Sequence, residues 1–256
     1  MIKLKTKEEI TMLREGGWKL AEILDTLKGM VAPGLSTAEL EKKALTLIKK
    51  AGGQPSFKGY ASSHNDKQFP TALCASINAE VVHAPSTPAR YLKNSDIICL
   101  DIGMRYKKLY TDMAVTVPVG EIDAKAQKLI EITRQCLELG IQQAKPGNKL
   151  LDIARAVQIN AEANGFGVVR ELVGHGVGYA VHEAPAVPNF YDSREEDLEL
   201  ELKPGLVIAI EPMLTLGDWH VKTGKDGFSI LTKDGSWAAH FEHTVAIMEE
   251  GNIIIT

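Results

Sequence analysis

The stretch DIICLDIGMRYKKLYTDMAVTVPV (residues 96–119) consists of two runs rich in β-branched and aromatic residues on either side of a Lys107-Lys108 pair. This pattern predicts two strands, over 96–106 and 109–119, that are joined as a hairpin by a short turn. In such a hairpin, residues of the two strands that lie on one face are close neighbours. The hairpin therefore determines which side chains of this stretch can meet.

Each strand of the hairpin carries one acidic residue among apolar neighbours. Asp101 shares a strand face with Ile97 and Cys99, and Asp112 lies on the partner strand on the face of Ala114. An unpaired carboxylate is strongly disfavoured in such surroundings. Because the two are eleven residues apart, the hairpin can bring both carboxylates to one point. For either one alone, an ion pair with an arginine or the capping of a turn is the alternative.

Two further acidic residues adjoin predicted strands later in the chain. Glu211 directly follows an apolar strand predicted over 206–210, and Glu242 opens the final strand, predicted over 241–248. Four carboxylates embedded in strands repel one another and lose their hydration, and shared divalent cations relieve both penalties. The pattern therefore predicts a cluster of divalent metal ions.

His175 is a candidate nitrogen ligand for this cluster. It lies in GHGVG (residues 174–178), whose three glycines permit close backbone approach. A plain tight turn or a phosphate loop is the alternative, although a P-loop's Lys-Ser/Thr pair is missing. One histidine and four carboxylates without cysteine suit Mn, Fe(II), Co or Zn. Two such ions about 3.5–4 Å apart would form a hydrolytic centre.

Helices are predicted outside the strands. We expect two over about 6–29 and 36–52, each opened by a capping box in which Thr or Ser precedes Glu by three residues. A third is expected over about 123–145, and a fourth ends at 164–165.

A Pro-Gly pair precedes both the second and the fourth helix. Pro33 precedes Gly52 by 19 residues, and Pro146 precedes Gly165 by the same interval. This weak repeat predicts one α+β domain over 1–256, with similar halves of about 6–120 and 121–256 that meet at a cleft.

The composition of the chain narrows its class. It has 256 residues, of which 45% are hydrophobic and 24% charged, so it can bury a sizeable core. With a net charge of -4, the chain has no excess of basic residues that would predict a nucleic-acid or anionic-membrane partner. Three widely spaced cysteines and a charged amino terminus without an apolar segment predict a cytoplasmic protein.

Together these motifs resemble the type I methionine aminopeptidases over nearly the whole chain. Each motif alone is a weak signal, but their combination in this order is specific. The matching segments are SIN (76–78), VVH (81–83), LDIG (100–103), TD (111–112), GHGVG (174–178), HEAP (182–185), LKPG (202–205), IEPM (210–213) and FEHT (241–244).

The resemblance implies the pita-bread fold, in which helices cover a central antiparallel sheet and two halves are related by pseudo-twofold symmetry. It implies two divalent ions, Co, Mn, Fe(II) or Zn, with a hydroxide between them. Asp101 would chelate one ion, Asp112 and Glu242 would bridge both, and His175 and Glu211 would complete the ligands of the other ion. The implied reaction removes the initiator methionine from nascent proteins whose second residue is small.

The resemblance also suggests roles around the metals. Glu211 would move a proton between the water and the leaving amine, His182 would hydrogen-bond the substrate carbonyl, and His83 would contact the peptide beyond the cleaved bond. Four further residues are expected to wall a methionine pocket, or else to be ordinary core residues: Tyr60, Phe69, Cys74 and Phe228.

Some positions depart from the family pattern. The loop over 61–68 is longer than usual, Phe228 stands where a Trp is common, and Val181 where an aromatic residue is frequent. These changes affect the expected shape of the pocket rather than the metal ligands.

Two alternatives share the fold. An X-Pro aminopeptidase or dipeptidase would have the same five ligands but normally an additional amino-terminal domain. A non-catalytic binding paralogue would typically have lost ligands and gained basic segments. We therefore expect a monomeric peptidase that acts on N-terminal methionine peptides. A transient contact with the ribosome is compatible with this function, and no nucleic-acid or membrane partner is expected.

Overall fold

The computed structural model describes residues 2–61, 67–192 and 196–256. The helices are α1 (Lys7–Met30), α2 (Thr37–Lys50), α3 (Ala124–Gln143) and α4 (Leu150–Ala163), with a 3₁₀ turn at Glu196–Glu199. They confirm the predicted helices, and both capping boxes form, Thr6 with Glu9 and Ser36 with Glu39. Within the described ranges, no helix has the length and apolar character needed to span a membrane.

The strands form one large antiparallel sheet and two small ones. In the described part of the chain the large sheet has nine strands in the order β1-β4-β5-β14-β9-β7-β8, with β2 beside β4 and β15 beside β14. The small sheets have the orders β13-β10-β6 and β11-β12-β3. The strands are β1 (Gln54–Pro55), β2 (Leu73–Ile77), β3 (Glu80–Val82), β4 (Ile97–Tyr106), β5 (Leu109–Pro118), β6 (Gly167–Val168), β7 (Gly174–Gly176), β8 (Glu183–Val187), β9 (Val207–Ile210), β10 (Met213–Thr215), β11 (Val221–Thr223), β12 (Ile230–Thr232), β13 (Ala238–His240), β14 (Glu242–Ile247) and β15 (Asn252–Ile254).

The predicted hairpin forms part of the large sheet. β4 and β5 pair along their whole lengths, with Asp101 opposite Ala114 and Asp112 opposite Gly103. On the other edge of β5, Ala114 lies opposite Glu242 of β14. Asp101, Ala114 and Glu242 therefore form one row across three strands. Asp112 lies two residues along β5 from this row, on the same face of the sheet.

Helices cover this sheet in two pairs. α1 and α2 pack with the hairpin in a core that includes Leu24 and Leu100. α3 and α4 pack with β9 and β14 in a second core that includes Leu137 and Ile208. The predicted architecture, a central antiparallel sheet covered by helices, is therefore confirmed.

The repeat inferred from the Pro-Gly spacing has a counterpart in the backbone. Gly34 and Gly147, before α2 and α4, have φ angles of 89° and 85°. Gly52 and Gly165, after the same helices, have φ angles of 79° and 82°. Glycine adopts this left-handed region without strain, so both helices lie between similar turns. The division of one domain into halves of about 6–120 and 121–256 stays a prediction.

The structure excludes one alternative that the sequence left open and corrects one prediction. GHGVG is not a tight turn, because its first three residues form strand β7 between β8 and β9. A Cβ atom on Gly174 or Gly176 would lie 2.4 Å from a carbonyl oxygen of a neighbouring strand, so the glycines serve close strand packing. The strand that Glu242 opens is not the last one either, since β15 follows it.

A buried carboxylate on α2 positions the start of β2, the strand beside Asp101. Glu41 is 6% exposed, and its oxygens accept hydrogen bonds from the amides of Ala72 and Leu73 at 2.9 and 3.0 Å. The Ser86 hydroxyl donates a third bond at 2.9 Å. Three buried donors thus depend on one side chain.

We expect Glu41→Ala to lower the free energy of unfolding by about 3 kcal/mol, because it leaves these buried donors without an acceptor. Urea unfolding followed by circular dichroism measures the change. The exposed Glu22 of α1 offers a matched control, and Glu22→Ala should change stability by no more than about 0.5 kcal/mol. Equal stability of the two variants would contradict the role given to Glu41.

Candidate metal centre

Three of the five predicted ligands meet at one point. One ligand atom each of Asp112, His175 and Glu242 lies within 4.8 Å of the other two. These residues come from β5, β7 and β14, and the register of the large sheet brings them together. Such a spacing lets a single cation contact all three side chains.

His175 is prepared for metal binding by its other ring nitrogen. Its Nδ1 lies 2.9 Å from the carbonyl oxygen of Gly176 and can only donate to it. The proton is therefore on Nδ1, and Nε2 presents a lone pair. Burial lowers the pKa of this imidazole to about 3, so the ring stays neutral. A ligating histidine commonly has this arrangement.

Glu211 adjoins the three-residue cluster through His175. Its Oε1 lies 3.5 Å from His175 Nε2, and it follows directly after β9. Asn189 donates to its backbone carbonyl at 3.1 Å, which fixes the chain where the strand ends. The prediction that Glu211 faces the same point as the hairpin acids agrees with this position.

Asp101 lies across the sheet, opposite Cys74 of β2. It is 6% exposed, and burial raises its pKa to about 7. Its Oδ1 has no hydrogen-bond partner, and the same is true of Glu242 Oε1. None of the ion pairs between described residues involves either carboxylate, so the alternative of an arginine partner is not seen.

The carboxylates act on one another electrostatically. Burial, and then repulsion from neighbouring acids, raises the pKa values of Asp112, Glu211 and Glu242 well above their usual range. A cation site is recognised by three features that occur together here. Carboxylate oxygens lack hydrogen-bond partners, the carboxylates repel one another, and an imidazole lone pair faces them. The donor set of this centre therefore fits divalent metal ions.

One cavity of about 810 Å³ contains this centre. All the residues predicted for the metals and the substrate line it: Tyr60, Phe69, Cys74, His83, Asp101, Asp112, His175, His182, Glu211, Phe228 and Glu242. The cavity is mostly apolar away from the carboxylates, with walls that include Phe57 and Met213. Its size suits a short peptide segment.

The two histidines predicted to contact substrate both face this cavity. His182 packs edge-on against His175, with ring centroids 4.4 Å apart, and its Nδ1 lies 2.8 Å from the Tyr60 hydroxyl. His83 directly follows β3 and has a φ of 59°, a value that is uncommon outside glycine. Loss of hydration on burial, and then the nearby His182, lower the pKa of His83 to about 4, so its ring is neutral at pH 7.

Aromatic rings form one wall of the cavity. Phe69 and Phe228 make an edge-to-face contact with centroids 5.5 Å apart. Cys74 is buried in a small hydrophobic cluster with Phe57 and Val181, and of these three Cys74 and Phe57 line the cavity. The long loop predicted over 61–68 lies mostly at 62–66, outside the described residues.

Sequence reasoning missed His240, which precedes Glu242 by two residues. Its side chain is 1% exposed, and its Nε2 lies 3.6 Å from Glu211 Oε2. A histidine two residues before a proposed ligand was the available signal. It was hidden because His240 ends β13 in a different sheet, and only the tertiary packing brings it to Glu211.

Comparison with known proteins identifies the class. The model of metallopeptidase family M24 matches residues 11–249. The chain belongs to this family, which makes it a metal-dependent peptidase. Methionine aminopeptidase 1 of Bacillus subtilis is 44% identical to it over 256 residues, covering 100% of this chain and 99% of the relative. The crystal structure of methionine aminopeptidase from Thermotoga maritima matches with a TM-score of 0.94 at 39% identity, covering 100% and 99% of the two chains.

Within the family, the chain therefore lies among the methionine aminopeptidases, and the predictions of an enzyme and of the pita-bread fold are confirmed. Prolidase from Pyrococcus furiosus shares the fold, with a TM-score of 0.76. At 22% identity, and with 65% of that chain covered, this likeness concerns the fold alone.

The buried acids predict how stability depends on pH once metal is removed by chelation. Between about pH 8 and 9, unfolded carboxylates (pKa about 4) and unfolded histidines (about 6.5) bind almost no protons. The raised pKa values of folded Asp112, Glu211 and Glu242 let these groups hold protons to higher pH than the same groups of the unfolded chain. The folded state then binds more protons, so the free energy of unfolding falls by about 1.4 kcal/mol per pH unit for each retained proton.

Urea unfolding of chelated protein across this range measures the slope. Asp112→Asn removes one of the titrating groups and should make the slope shallower. Asp25→Asn, at a side chain that is 74% exposed, should leave it unchanged. A slope that is the same in all three proteins would show that Asp112 does not titrate as expected.

Proposed function

We propose that this chain removes the N-terminal methionine from nascent proteins whose second residue is small, with two divalent metal ions at its centre. The observation that carries the proposal is the convergence of buried, unpaired carboxylates and one imidazole lone pair at the wall of a peptide-sized cavity. The relatives described above that match the whole chain are methionine aminopeptidases, which supports the substrate class.

The proposed metal ligands follow the geometry of the sheet. Asp112 and Glu242 lie between the other candidates, so they are the ones suited to bridge two ions. Asp101 would bind one ion on the β4 side, and His175 with Glu211 would bind the other on the β9 side. When bound, such ions supply Lewis acidity and make a water molecule reactive near neutral pH. Co, Mn, Fe(II) and Zn all suit this set of oxygen and nitrogen donors.

Glu211 is the proposed proton carrier. Burial raises its pKa well above the usual range, which lets the carboxyl group accept a proton near neutral pH and release it to a leaving amine. It lies at the end of β9 and lines the cavity, so it can reach substrate atoms there. Because its carbonyl is held by Asn189, the side chain works from a fixed backbone.

His182 is the proposed donor to the substrate carbonyl. The Tyr60 hydroxyl has no other partner in the described structure and can donate to His182 Nδ1. That bond places the imidazole proton on Nε2, where it is available to stabilise negative charge on a carbonyl oxygen. His83, on the same cavity, would contact the peptide beyond the cleaved bond.

The methionine side chain would occupy the aromatic part of the cavity. Phe69 and Phe228 present ring edges and faces, and thioether sulfur makes favourable contacts with both. Burial raises the pKa of the Cys74 thiol well above its ordinary value, so Cys74 contributes an uncharged wall next to Asp101. A flexible, unbranched side chain fits such a pocket well.

An X-Pro peptidase is the second candidate, because prolidases share the fold. The same ligand set would serve both reactions, so the substrate panel below is what separates them. Contact with the ribosome, and a monomeric state, stay predictions that follow from the family resemblance.

The first test of this proposal is metal stoichiometry. Wild-type protein, stripped with chelator and dialysed against Mn²⁺, should bind two ions per chain and regain peptidase activity. Asp112→Asn should stay folded, lose at least one ion and lose hydrolysis by about a thousandfold or more, since a bridging ligand serves both ions. Atomic absorption and a Met-Ala-Ser assay give the two readouts.

Asp218→Asn is a suitable control for this test, because Asp218 is an exposed carboxylate whose partner is His220 rather than the centre. It should keep both ions. Full activity of Asp112→Asn, or activity of wild-type protein that is indifferent to chelator, would contradict the proposal.

The second test is a peptide panel. Met-Ala-Ser should be cleaved, whereas Met-Lys-Ser and Ala-Pro-Ser should not, and liquid chromatography of the released amino acid measures each rate. Phe228→Ala should raise KM for Met-Ala-Ser, because it removes one wall of the methionine pocket. Preferential cleavage of Ala-Pro-Ser would select the X-Pro peptidase instead.

A further inference from the structure

The Glu211 carboxylate lies between two imidazoles, and the Nε2 atom of each is near a different carboxylate oxygen. Its Oε1 is 3.5 Å from His175 Nε2, and its Oε2 is 3.6 Å from His240 Nε2. His175 carries its proton on Nδ1, as its contact with the Gly176 carbonyl requires, so it offers Glu211 no hydrogen-bond donor. Any donor to this carboxylate from a neighbouring imidazole has to come from His240.

The surroundings of His240 determine which of its nitrogens carries the proton. Its Nδ1 lies 3.6 Å from the Cys99 sulfur, and its carbonyl oxygen lies 3.7 Å from the same atom. Thr116 already donates its hydroxyl to that carbonyl at 2.8 Å. A carbonyl oxygen can accept two hydrogen bonds, so the thiol can donate either to this carbonyl or to Nδ1. Donation to Nδ1 leaves the imidazole proton on Nε2, facing Glu211, whereas the opposite tautomer would set the Nε2 lone pair against a carboxylate oxygen.

Both members of this contact are held in their uncharged forms. Burial raises the pKa of Cys99 well above its ordinary value, which keeps the thiol proton in place. Burial also lowers the pKa of His240 to about 3. The buried Nε2 has no hydrogen-bond partner among the described residues, so Glu211 Oε2 is its nearest candidate acceptor.

We propose that His240 is a positioning residue that donates from Nε2 to Glu211 Oε2 and thereby holds this carboxylate for metal binding and proton transfer, with Cys99 fixing the tautomer. The inference rests on the proposed function, because it assigns a role toward a ligand named there. The distance of 3.6 Å requires only a small rotation of the carboxylate, and a hydrogen bond between such groups commonly tightens when the centre is loaded.

The two carboxylate oxygens of Glu211 would then have different roles. Oε1 lies on the side of His175 and is available to the metal, whereas Oε2 would be fixed by the His240 proton. An outer donor of this kind orients a metal-binding carboxylate, and its loss typically weakens metal affinity by about 10–100-fold.

The test compares His240→Leu, which removes the donor at similar volume, with His240→Gln, which restores an amide donor. Isothermal titration of chelated protein with Mn²⁺ should show the weaker of two sites losing about 10–100-fold in affinity in His240→Leu and recovering most of it in His240→Gln. With Met-Ala-Ser, kcat should fall in His240→Leu while KM stays close to that of wild type, because the peptide pocket is untouched.

His243 provides the matched control, since it is a histidine of the neighbouring strand whose Nδ1 faces Thr256 at 3.2 Å instead of Glu211. His243→Gln should bind Mn²⁺ as wild type does. A measurement that needs no variant to keep its fold is the ¹⁵N spectrum of wild-type protein loaded with diamagnetic Zn²⁺. It should show His240 as the Nε2–H tautomer.

The outcomes are distinguishable. Wild-type protein that binds two Mn²⁺ and cleaves Met-Ala-Ser, with His240→Leu equal to it in both respects, overturns the role of His240 alone. An Nδ1–H tautomer of His240 also overturns it. Wild-type protein that neither binds Mn²⁺ nor cleaves the peptide overturns the proposed function, and this inference with it.

Discussion

Three carboxylates buried on one face of an antiparallel sheet, together with Glu211 at the end of a neighbouring strand, are the constraint on which the rest of this site depends. Dehydration and mutual repulsion both disfavour them, as the raised pKa values of Asp112, Glu211 and Glu242 express. No ion pair among the described residues relieves Asp101 or Glu242. The fold thus retains an arrangement of carboxylates that is unfavourable for the protein alone. It becomes favourable once cations neutralise the carboxylates, so metal binding is coupled to the stability of the fold.

The sheet makes this arrangement possible by fixing distances that no local element could fix. Asp101 and Glu242 are 141 positions apart in the chain, yet Ala114 lies between them in one row of the sheet. The small side chain of Ala114 leaves the space above the row open. Glycines at 174 and 176 allow β7 to approach its neighbours closely enough to bring His175 to the same point. Four of the five candidate ligands are therefore carried by strands, and Glu211 directly follows one.

Much of this could be predicted from the sequence, because the signals were local. Capping boxes marked the starts of α1 and α2, and an acidic residue inside an apolar strand marked Asp101 and Asp112 as anomalous. The contacts of Tyr60 with His182 and of His240 with Glu211 could not be predicted. They join elements that are 122 and 29 residues apart and belong to different sheets or loops, so no periodicity encodes them. The position of GHGVG in a strand could not be predicted either, because only the neighbouring strands show what its glycines approach.

The histidines around the centre show how one residue type can serve opposite purposes. Hydrogen bonding at the far nitrogen decides the outcome: the Gly176 carbonyl makes His175 a lone-pair donor, whereas a hydroxyl or a thiol would make His182 and His240 proton donors. The ring is the same in each case, and burial keeps it neutral. In the proposed roles, the hydrogen-bond partner of each histidine decides whether the ring donates a lone pair or a proton. A change at Tyr60 or Cys99 would then alter the proton position on His182 or His240 without replacing a proposed metal ligand.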